Sequence, residues 1–443
     1  MIINIVAPKL VENSDAQGAS HMLQEQLYTL LKSSEHEVYC DFFHSHPKCD
    51  LLLFAVQTVS DLTSGWIKDY ASHYSKDCMI GLCGRAPSLE MKYSMMAMEC
   101  IDFIILGEPE ETLLELIKNL QSNKNTKSNF YEIKGLYFRC NNKLIKTEKR
   151  IIHRCLDEYP MPEYSYLELG QKFFNVCSLE CSRFCYGDCI FCGGNVYRQQ
   201  NYNNIISVKS AERIFDEINN VITKYNVRFF AFQDDNFFYD GNEGFYRAEK
   251  FADLVISQKK RIRFSIQCRA SDVSYRLFKH LKKAGLYKVF IGFESGCQDV
   301  LDRYNKGTTV DENKEAIEIL NNLGINCQPG YIFFDPYTTK RELEETISFF
   351  LPYKDKLFSF VNGPLETRYL EFPTGCKAYE IFRHITPDFS MITPETFDAE
   401  KYFINSETID IYNHFKKELV KSNRKGNIFS DELDILNSTI GGY

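Results

Sequence analysis

The sequence predicts an α/β protein made of two units and a helical tail, and three observations predict it. Over residues 1–125 short apolar runs alternate with helix-length stretches, the pattern of an open, doubly wound, Rossmann-like parallel sheet. From Phe173 the alternation resumes and gives six β-α repeats within residues 171–384. Residues 385–443 are polar and mainly helical in pattern, without a motif. Between the two units, residues 126–170 read as a hairpin and linker.

In the first unit, strands are expected at Ile2–Val6, Val38–Phe42, Asp50–Val56, Met79–Leu82 and Ile101–Leu106, with the loop Ala7–Gly18 and a helix at Ala19–Leu31. Gly107-Glu-Pro-Glu-Glu-Thr112 opens a further helix, with Leu113, Leu116, Ile117 and Leu120 at helical spacing. Pro109 near the first turn and the acids beside it suit a helix N-terminus. The connector predicts a strand at Asn129–Cys140, a turn at Asn141-Asn142 and a return strand at Leu144–Ile145. Pro160 and Pro162 then hold an extended path.

The second unit predicts strands at Phe173–Cys181, Val227–Phe232, Arg263–Cys268, Lys288–Gly292, Asn326–Phe333 and Leu365–Phe372. Helices are expected at Ser210–Lys224, Val273–Ala284, Glu312–Leu323 and Arg341–Phe350.

Composition narrows the function. The chain has 443 residues, 44% hydrophobic, enough to bury more than one core. A net charge of -8 argues against a nucleic-acid partner, which would call for a basic face. Met1–Val6 has no basic n-region, and apolar runs such as Leu51–Val56 are far too short for a bilayer, so no leader and no membrane partner are expected. Sixteen cysteines, several inside predicted strands, suit a reduced interior and a cytoplasmic location.

The motif around which the chain is organised is Cys185-Tyr-Gly-Asp-Cys189-Ile-Phe-Cys192. A structural zinc site would show paired C-x2-C spacings or a Cys/His quartet, and neither occurs here. Three thiolates hold three irons of a 4Fe–4S cubane and leave the fourth open. With Ser182-Arg183-Phe184 before it and Gly193-Gly194 after it, the stretch resembles the radical SAM superfamily. That resemblance implies a partial (βα)6 TIM barrel, with the open iron chelating S-adenosylmethionine (SAM) and Phe191 packing over the adenine side.

Further residues carry the same resemblance. Asp234-Asp235-Asn236-Phe237 ends the second core strand and resembles the family's D-D-x-F. It implies that Asp234 holds the SAM amino group through a charge-assisted hydrogen bond; a helix cap or turn is the alternative. Arg269 matches an arginine that pairs with the SAM carboxylate, against a surface salt bridge. Glu294-Ser295 in Gly292-Phe-Glu-Ser-Gly296 matches G-x-E-S, which contacts ribose hydroxyls; a capping role is the alternative. Lys306-Gly307 reads as structural. Cys177 and Cys181 would share one strand face, as buried filling or as an extra ligand. Cys376, where relatives have P-G-T-x-x-Y, is either packing or a hydrogen-atom donor to a substrate radical.

The first unit resembles the cobalamin-binding domain that precedes many radical SAM cores, on Gly81–Ser88 and on Asp102-Phe-Ile-Ile-Leu-Gly-Glu-Pro-Glu-Glu-Thr112. Cys83 replaces the first glycine of the family's turn, and no D-x-H-x-x-G occurs. A histidine-ligated cobalt is therefore not supported. His21, the histidine near the first loop, reads as a surface helix residue.

The resemblance implies an enzyme that reductively cleaves SAM to a 5′-deoxyadenosyl radical and abstracts substrate hydrogen in natural-product or peptide tailoring. Its cofactors would be a 4Fe–4S cluster and SAM, with cobalamin possible, and an external flavodoxin- or ferredoxin-type donor would supply electrons. Cobalamin-dependent methyl transfer ranks first. The alternatives are a peptide epimerase using Cys376, a radical dehydratase or mutase, and a non-catalytic iron–sulfur or cobalamin sensor.

Overall fold

The computed structural model describes residues 1–9, 19–32, 35–74, 77–122, 129–151, 154–169, 176–202, 206–240, 242–358, 376–382, 398–422 and 427–441. It forms two compact units: Met1–Phe184 with Val196–Gln233, and Cys185–Asn195 with Asp234–Tyr443.

The first unit begins with β1 (Ile2–Val6), α1 (Ala19–Lys32), β2 (Glu37–Asp41), β3 (Leu51–Ala55), α2 (Val59–Thr63), α3 (Trp66–Ala71) and β4 (Met79–Cys83). Then come α4 (Arg85–Leu89), α5 (Met91–Ala97), β5 (Phe103–Ile105), α6 (Glu110–Ser122), β6 (Leu136–Cys140) and β7 (Lys143–Lys146). The sheet runs β2-β1-β3-β4-β5-β6-β7, parallel through β5 and antiparallel beyond it.

The strands are apolar on both faces because both faces are covered. Leu51, Leu53 and Ala55 pack with Leu23, Leu27 and Leu31 of α1 and with Leu113, Leu116 and Leu120 of α6. Leu52 and Phe54 share the opposite core with Ile67 and Tyr70 of α3. The doubly wound expectation is met, and the 136–146 hairpin extends the same sheet at β5.

One predicted strand is corrected. Asn129–Cys140 is not continuous: a 3-10 turn at Phe130–Glu132 precedes β6. Phe130 is fully buried and lies edge-on to Phe103 and Phe138, so the apolar residues here plug the core end instead of alternating along a strand. Gly135, at φ +81°, makes the bend before β6.

The remainder of this unit holds β8 (Cys177–Leu179), β9 (Ser182–Arg183), β10 (Ser207–Val208), α8 (Ala211–Tyr225) and β11 (Phe229–Phe232), while α7 (Gly193–Tyr202) begins before Val196. Strands β8 and β11 are parallel neighbours, and β9 pairs with β10 antiparallel. Because β8 stops at Leu179, Cys177 and Cys181 do not share a strand face as expected. Residues 173–175 of that predicted strand lie outside the described residues.

The second unit carries α9 (Asn242–Ser257), β12 (Arg263–Cys268), α10 (Tyr275–Ala284), β13 (Leu286–Glu294), α11 (Gln298–Arg303), α12 (Val310–Asn322), β14 (Asn326–Tyr331) and α13 (Lys340–Phe350). It ends with α14 (Lys377–Phe382), α15 (Ala399–Tyr402), α16 (Ser406–Lys421) and α17 (Ile428–Gly441). Strands β12, β13 and β14 are parallel neighbours. In β13 the alternate residues Val289, Ile291 and Phe293 are fully buried, whereas Lys288, Phe290 and Gly292 are half-buried on the other face.

Helix starts follow from local chemistry. Thr309 with Glu312, and Thr339 with Glu342, form reciprocal capping boxes that satisfy the first free amides. The predicted strand Leu365–Phe372 lies outside the described residues. The tail is less polar than its composition suggests: Phe429 of α17 packs on Tyr331 and Phe350, and Tyr331 donates to Glu432 at 2.5 Å. Among the described residues no helix is long and apolar enough to cross a membrane.

Candidate active site

The second unit gathers most of the residues singled out from sequence at the carboxyl ends of its strands and on the cysteine loop. Strand β12 ends at Cys268, so Arg269 leaves the sheet there. Its Nη1 stands 3.6 Å from Cys189 Sγ, and its Nη2 donates to the Lys306 carbonyl. The guanidinium also lies over the Tyr186 ring, 5.3 Å from the centroid. Arg269 is 7% exposed, which corrects the surface salt-bridge alternative. Its Nε meets no acceptor among the described residues.

Gly187 makes this approach possible. A Cβ there would lie 2.3 Å from Arg269 Nη1 and 3.5 Å from Cys185 Sγ. The Gly187 amide donates to Cys185 Sγ at 3.3 Å. Burial pushes the Cys185 thiol up, while the Gly187 amide, the Arg269 charge and the Asn236 side chain oppose that shift. These donors suit a thiolate, the form a metal requires.

Cys189 is buried, and Cys185 and Cys192 are half-buried. The Cys192 amide closes a turn onto the Cys189 carbonyl at 3.2 Å, and the Ile190 amide donates to Tyr304 O at 3.0 Å. Phe191 packs edge-on against Tyr304, with centroids 5.4 Å apart. Among the described residues no three His, Cys, Asp or Glu side chains converge as they would around a single ion.

Strand β13 ends in a bulge opposite β14. Glu294 there has φ +64°, a region costly for a non-glycine residue. Its Oε1 accepts from Lys306 Nζ at 2.7 Å, folded back over Gly292, where a Cβ would meet that oxygen at 2.3 Å. This is the physical content of the G-x-E spacing. Lys306 is buried; burial opposes its charge, and the Glu294 carboxylate together with Cys189 raises it on balance.

Ser295 points elsewhere. Its hydroxyl lies 2.7 Å from Thr346 Oγ1 of α13 and accepts from the Cys297 amide at 3.0 Å, fastening the start of α11. Asp234 is 1% exposed. Cys376 is fully buried at the start of α14, and the Ala378 amide bonds to Ile190 O at 3.1 Å. That bond joins the Cys376 segment to the peptide between the second and third cysteines. Sequence reasoning missed Tyr186 and Asp272, which are hydrogen-bonded at 2.7 Å across 86 positions of the chain, a contact no local pattern marks.

Within the first unit, Cys177 is buried with its sulfur 3.7 Å from Tyr166 OH. Cys83 turns into the sheet, its thiol donating to Phe54 O at 3.5 Å. Gly84 makes the turn after β4 at φ +111°, where a Cβ would strike Val56 O at 2.2 Å. His21 is 4% exposed rather than a surface residue. Its Nε2 lies 2.8 Å from Pro8 O, and His44 Nε2 lies 3.0 Å from Ala7 O. The motif at 107–112 has a clear role here: Glu108 and Glu110, together with Glu180, surround Arg183 at 2.9, 2.6 and 2.8 Å.

Comparison with known proteins adds a match over part of the chain. The Radical SAM superfamily profile matches residues 179–350. An uncharacterized methyltransferase of Pyrococcus horikoshii is 24% identical over 285 residues, covering 63% of this chain and 59% of that protein. An anaerobic magnesium-protoporphyrin IX monomethyl ester cyclase of Cereibacter sphaeroides is 29% identical over 260 residues, covering 56% of this chain and 40% of its own length. The chain thus spans about two-fifths to three-fifths of these relatives. Among solved structures, the cobalamin-dependent SAM radical enzyme OxsB with aqua-cobalamin bound superposes with a TM-score of 0.75 at 18% identity, covering 95% of this chain and 67% of that one. At that identity the likeness shows the fold.

Proposed function

Because this chain carries a radical SAM domain over residues 179–350, we propose that it binds a 4Fe–4S cluster through Cys185, Cys189 and Cys192 and uses SAM as its second cofactor. The observation that carries the proposal is Arg269, brought from the end of β12 to the Cys189 sulfur, with no acceptor for its Nε among the described residues. A buried guanidinium with an unused N–H suits a carboxylate partner. The donor set also fits: three sulfurs lie on one loop, and at Cys185 an amide, an arginine and an asparagine oppose the rise that burial imposes on the thiol.

When bound, the cluster supplies one-electron reduction of the SAM sulfonium. The chain's own residues bind and orient. Arg269 receives the SAM carboxylate, and Asp234 the amino group. Glu294, held over Gly292 by Lys306, offers a carboxylate to the ribose hydroxyls. The Phe191 peptide covers the adenine. Ser295, engaged by Thr346 and Cys297, acts through the backbone of the α11 start. The substrate is a small molecule or peptide, and an external donor supplies the electron.

Cobalamin-dependent methyl transfer is the reaction we rank first. The first unit supports it with strand order β2-β1-β3-β4, whose switch point between β1 and β3 is where doubly wound folds bind ligands. Cobalamin there would lack a histidine on cobalt from His21 or His44, whose Nε2 atoms face Pro8 and Ala7 carbonyls. Cys376, buried beside the Ile190 peptide, favours a second reading, hydrogen-atom donation in an epimerase. The test is organic extraction of protein produced with hydroxocobalamin, followed by assay of the reconstituted enzyme with SAM and dithionite. Corrinoid in the extract and S-adenosylhomocysteine, the demethylated form of SAM, alongside 5′-deoxyadenosine and methionine support methyl transfer by this class of enzyme. The last two products without corrinoid move the epimerase reading to first place.

A further inference from the structure

We propose that Asp272 is a positioning residue for SAM, tying the cysteine loop, the Asp234–Phe237 turn and the Arg269 backbone to one buried carboxylate. The inference rests on the reading of this site as a cluster and SAM centre. Asp272 touches none of the three cysteines in any bond described above. It acts through the groups that surround them.

Three segments converge on it, two of them distant in sequence. Tyr186, in the cysteine loop, donates its hydroxyl to Oδ1 at 2.7 Å. Asn236 Nδ2 donates to Oδ2 at 2.9 Å. The Arg269 amide donates to the same oxygen at 3.0 Å. Capping the short 3-10 turn at Ala270–Asp272 needs only the last of these. The other two join residues 86 and 36 positions away, which a local cap does not explain.

Each donor is itself engaged with the site. Tyr186 carries the Arg269 guanidinium on its ring face, an attraction expected between a cation and an aromatic quadrupole. Asn236 Oδ1 accepts from the Phe238 amide at 2.9 Å, and its side chain reaches the Cys185 thiol. Asp272 is 2% exposed and Asn236 fully buried, so water does not replace the bond between them, whereas Tyr186 reaches Asp272 from a residue that is 36% exposed. A carboxylate fits because all three neighbours are donors. An amide in its place would turn an N–H toward one of them.

The test is titration of the anaerobically reconstituted, dithionite-reduced full chain with SAM, followed by the change in the cluster's EPR signal, on wild type, Asp272→Asn and Tyr186→Phe. The expected result is wild-type iron content in both variants and an unchanged signal without SAM. The apparent Kd for SAM rises about tenfold in Asp272→Asn and less in Tyr186→Phe, in line with one or two lost hydrogen bonds in a buried site. A wild-type Kd in Asp272→Asn overturns the inference. If that variant does not fold or holds no iron, Tyr186→Phe decides, because it removes one bond and leaves the carboxylate its other two donors; a wild-type Kd there overturns the inference as well. Failure of the wild-type chain itself to hold a cluster sinks the underlying reading, and the inference with it, so the two failures are distinguishable.

Discussion

The Arg269 guanidinium stands 3.6 Å from the Cys189 sulfur, and Gly187 leaves the guanidinium its room, because a Cβ there would meet Arg269 Nη1. Arginine is suited to this place because its planar fork serves the Lys306 carbonyl and the sulfur, while its buried Nε meets no acceptor among the described residues. Arg269→Met should therefore weaken SAM binding by roughly tenfold to a hundredfold, the usual range for loss of a charge-assisted hydrogen bond. Arg269→Lys should recover only part, since an ammonium cannot span both partners. Isothermal titration with SAM on the anaerobic protein checks this.

Glu294 and Lys306 form a buried pair whose side chains are 11% and 7% exposed. Lys306→Met strands the carboxylate and should destabilise the second unit by about 3–5 kcal/mol, more than Glu294→Gln does. Gly292→Ala should displace the Glu294 carboxylate and cost about 1–3 kcal/mol as overpacking. Urea unfolding midpoints measure all three.

Arg183 sits among Glu108, Glu110 and Glu180 with only 11% of its side chain exposed. Arg183→Met leaves two buried carboxylates, Glu108 and Glu110, and the half-buried Glu180 without their cation, and a loss of about 3–5 kcal/mol is expected. Glu108→Gln should be far milder, because burial already pushes that carboxyl up to about 7 against the pull of Arg183. Denaturant unfolding followed by circular dichroism distinguishes the two.

His21 predicts a pH effect with a definite sign. Burial depresses its pKa from 6.5 to about 4, outweighing the Pro8 carbonyl. Between those values the unfolded chain binds a proton that the folded chain refuses, so the His21 contribution is intact above pH 6.5 and is lost as pH falls toward 4. Comparing thermal unfolding of wild type and His21→Gln across that range should show the variant less acid-sensitive, by an amount on the order of 3 kcal/mol at most.

How much of this was legible in the sequence depends on what each signal encodes. Strands such as Arg263–Cys268 were legible to the residue because alternation and flanking charge marked both ends. The break at Phe130–Glu132 was not, since a core-plugging aromatic and a strand residue look alike without their neighbours. The motif residues Asp234, Arg269 and Glu294 were found from short patterns, and Arg269 and Glu294 meet the site through glycines that those patterns also contained. Ser295 shared a motif with Glu294, yet alternation at the strand end sends its hydroxyl to Thr346. Tyr186 and Asp272 escaped notice because long-range hydrogen bonding leaves no local period. His21 was misjudged for a related reason: its burial comes from the Pro8 carbonyl and the Phe42 ring, not from helix periodicity.

The central claim, a cluster held by three thiolates, is tested most directly by iron and sulfide analysis with EPR of the anaerobically reconstituted, reduced chain beside its Cys185→Ala, Cys189→Ala and Cys192→Ala variants. About four irons and four sulfides per wild-type chain, a reduced-cluster signal that shifts on adding SAM, and loss of both in each variant are the predicted results. Substoichiometric metal without sulfide, or a cluster that survives all three substitutions, would contradict the account.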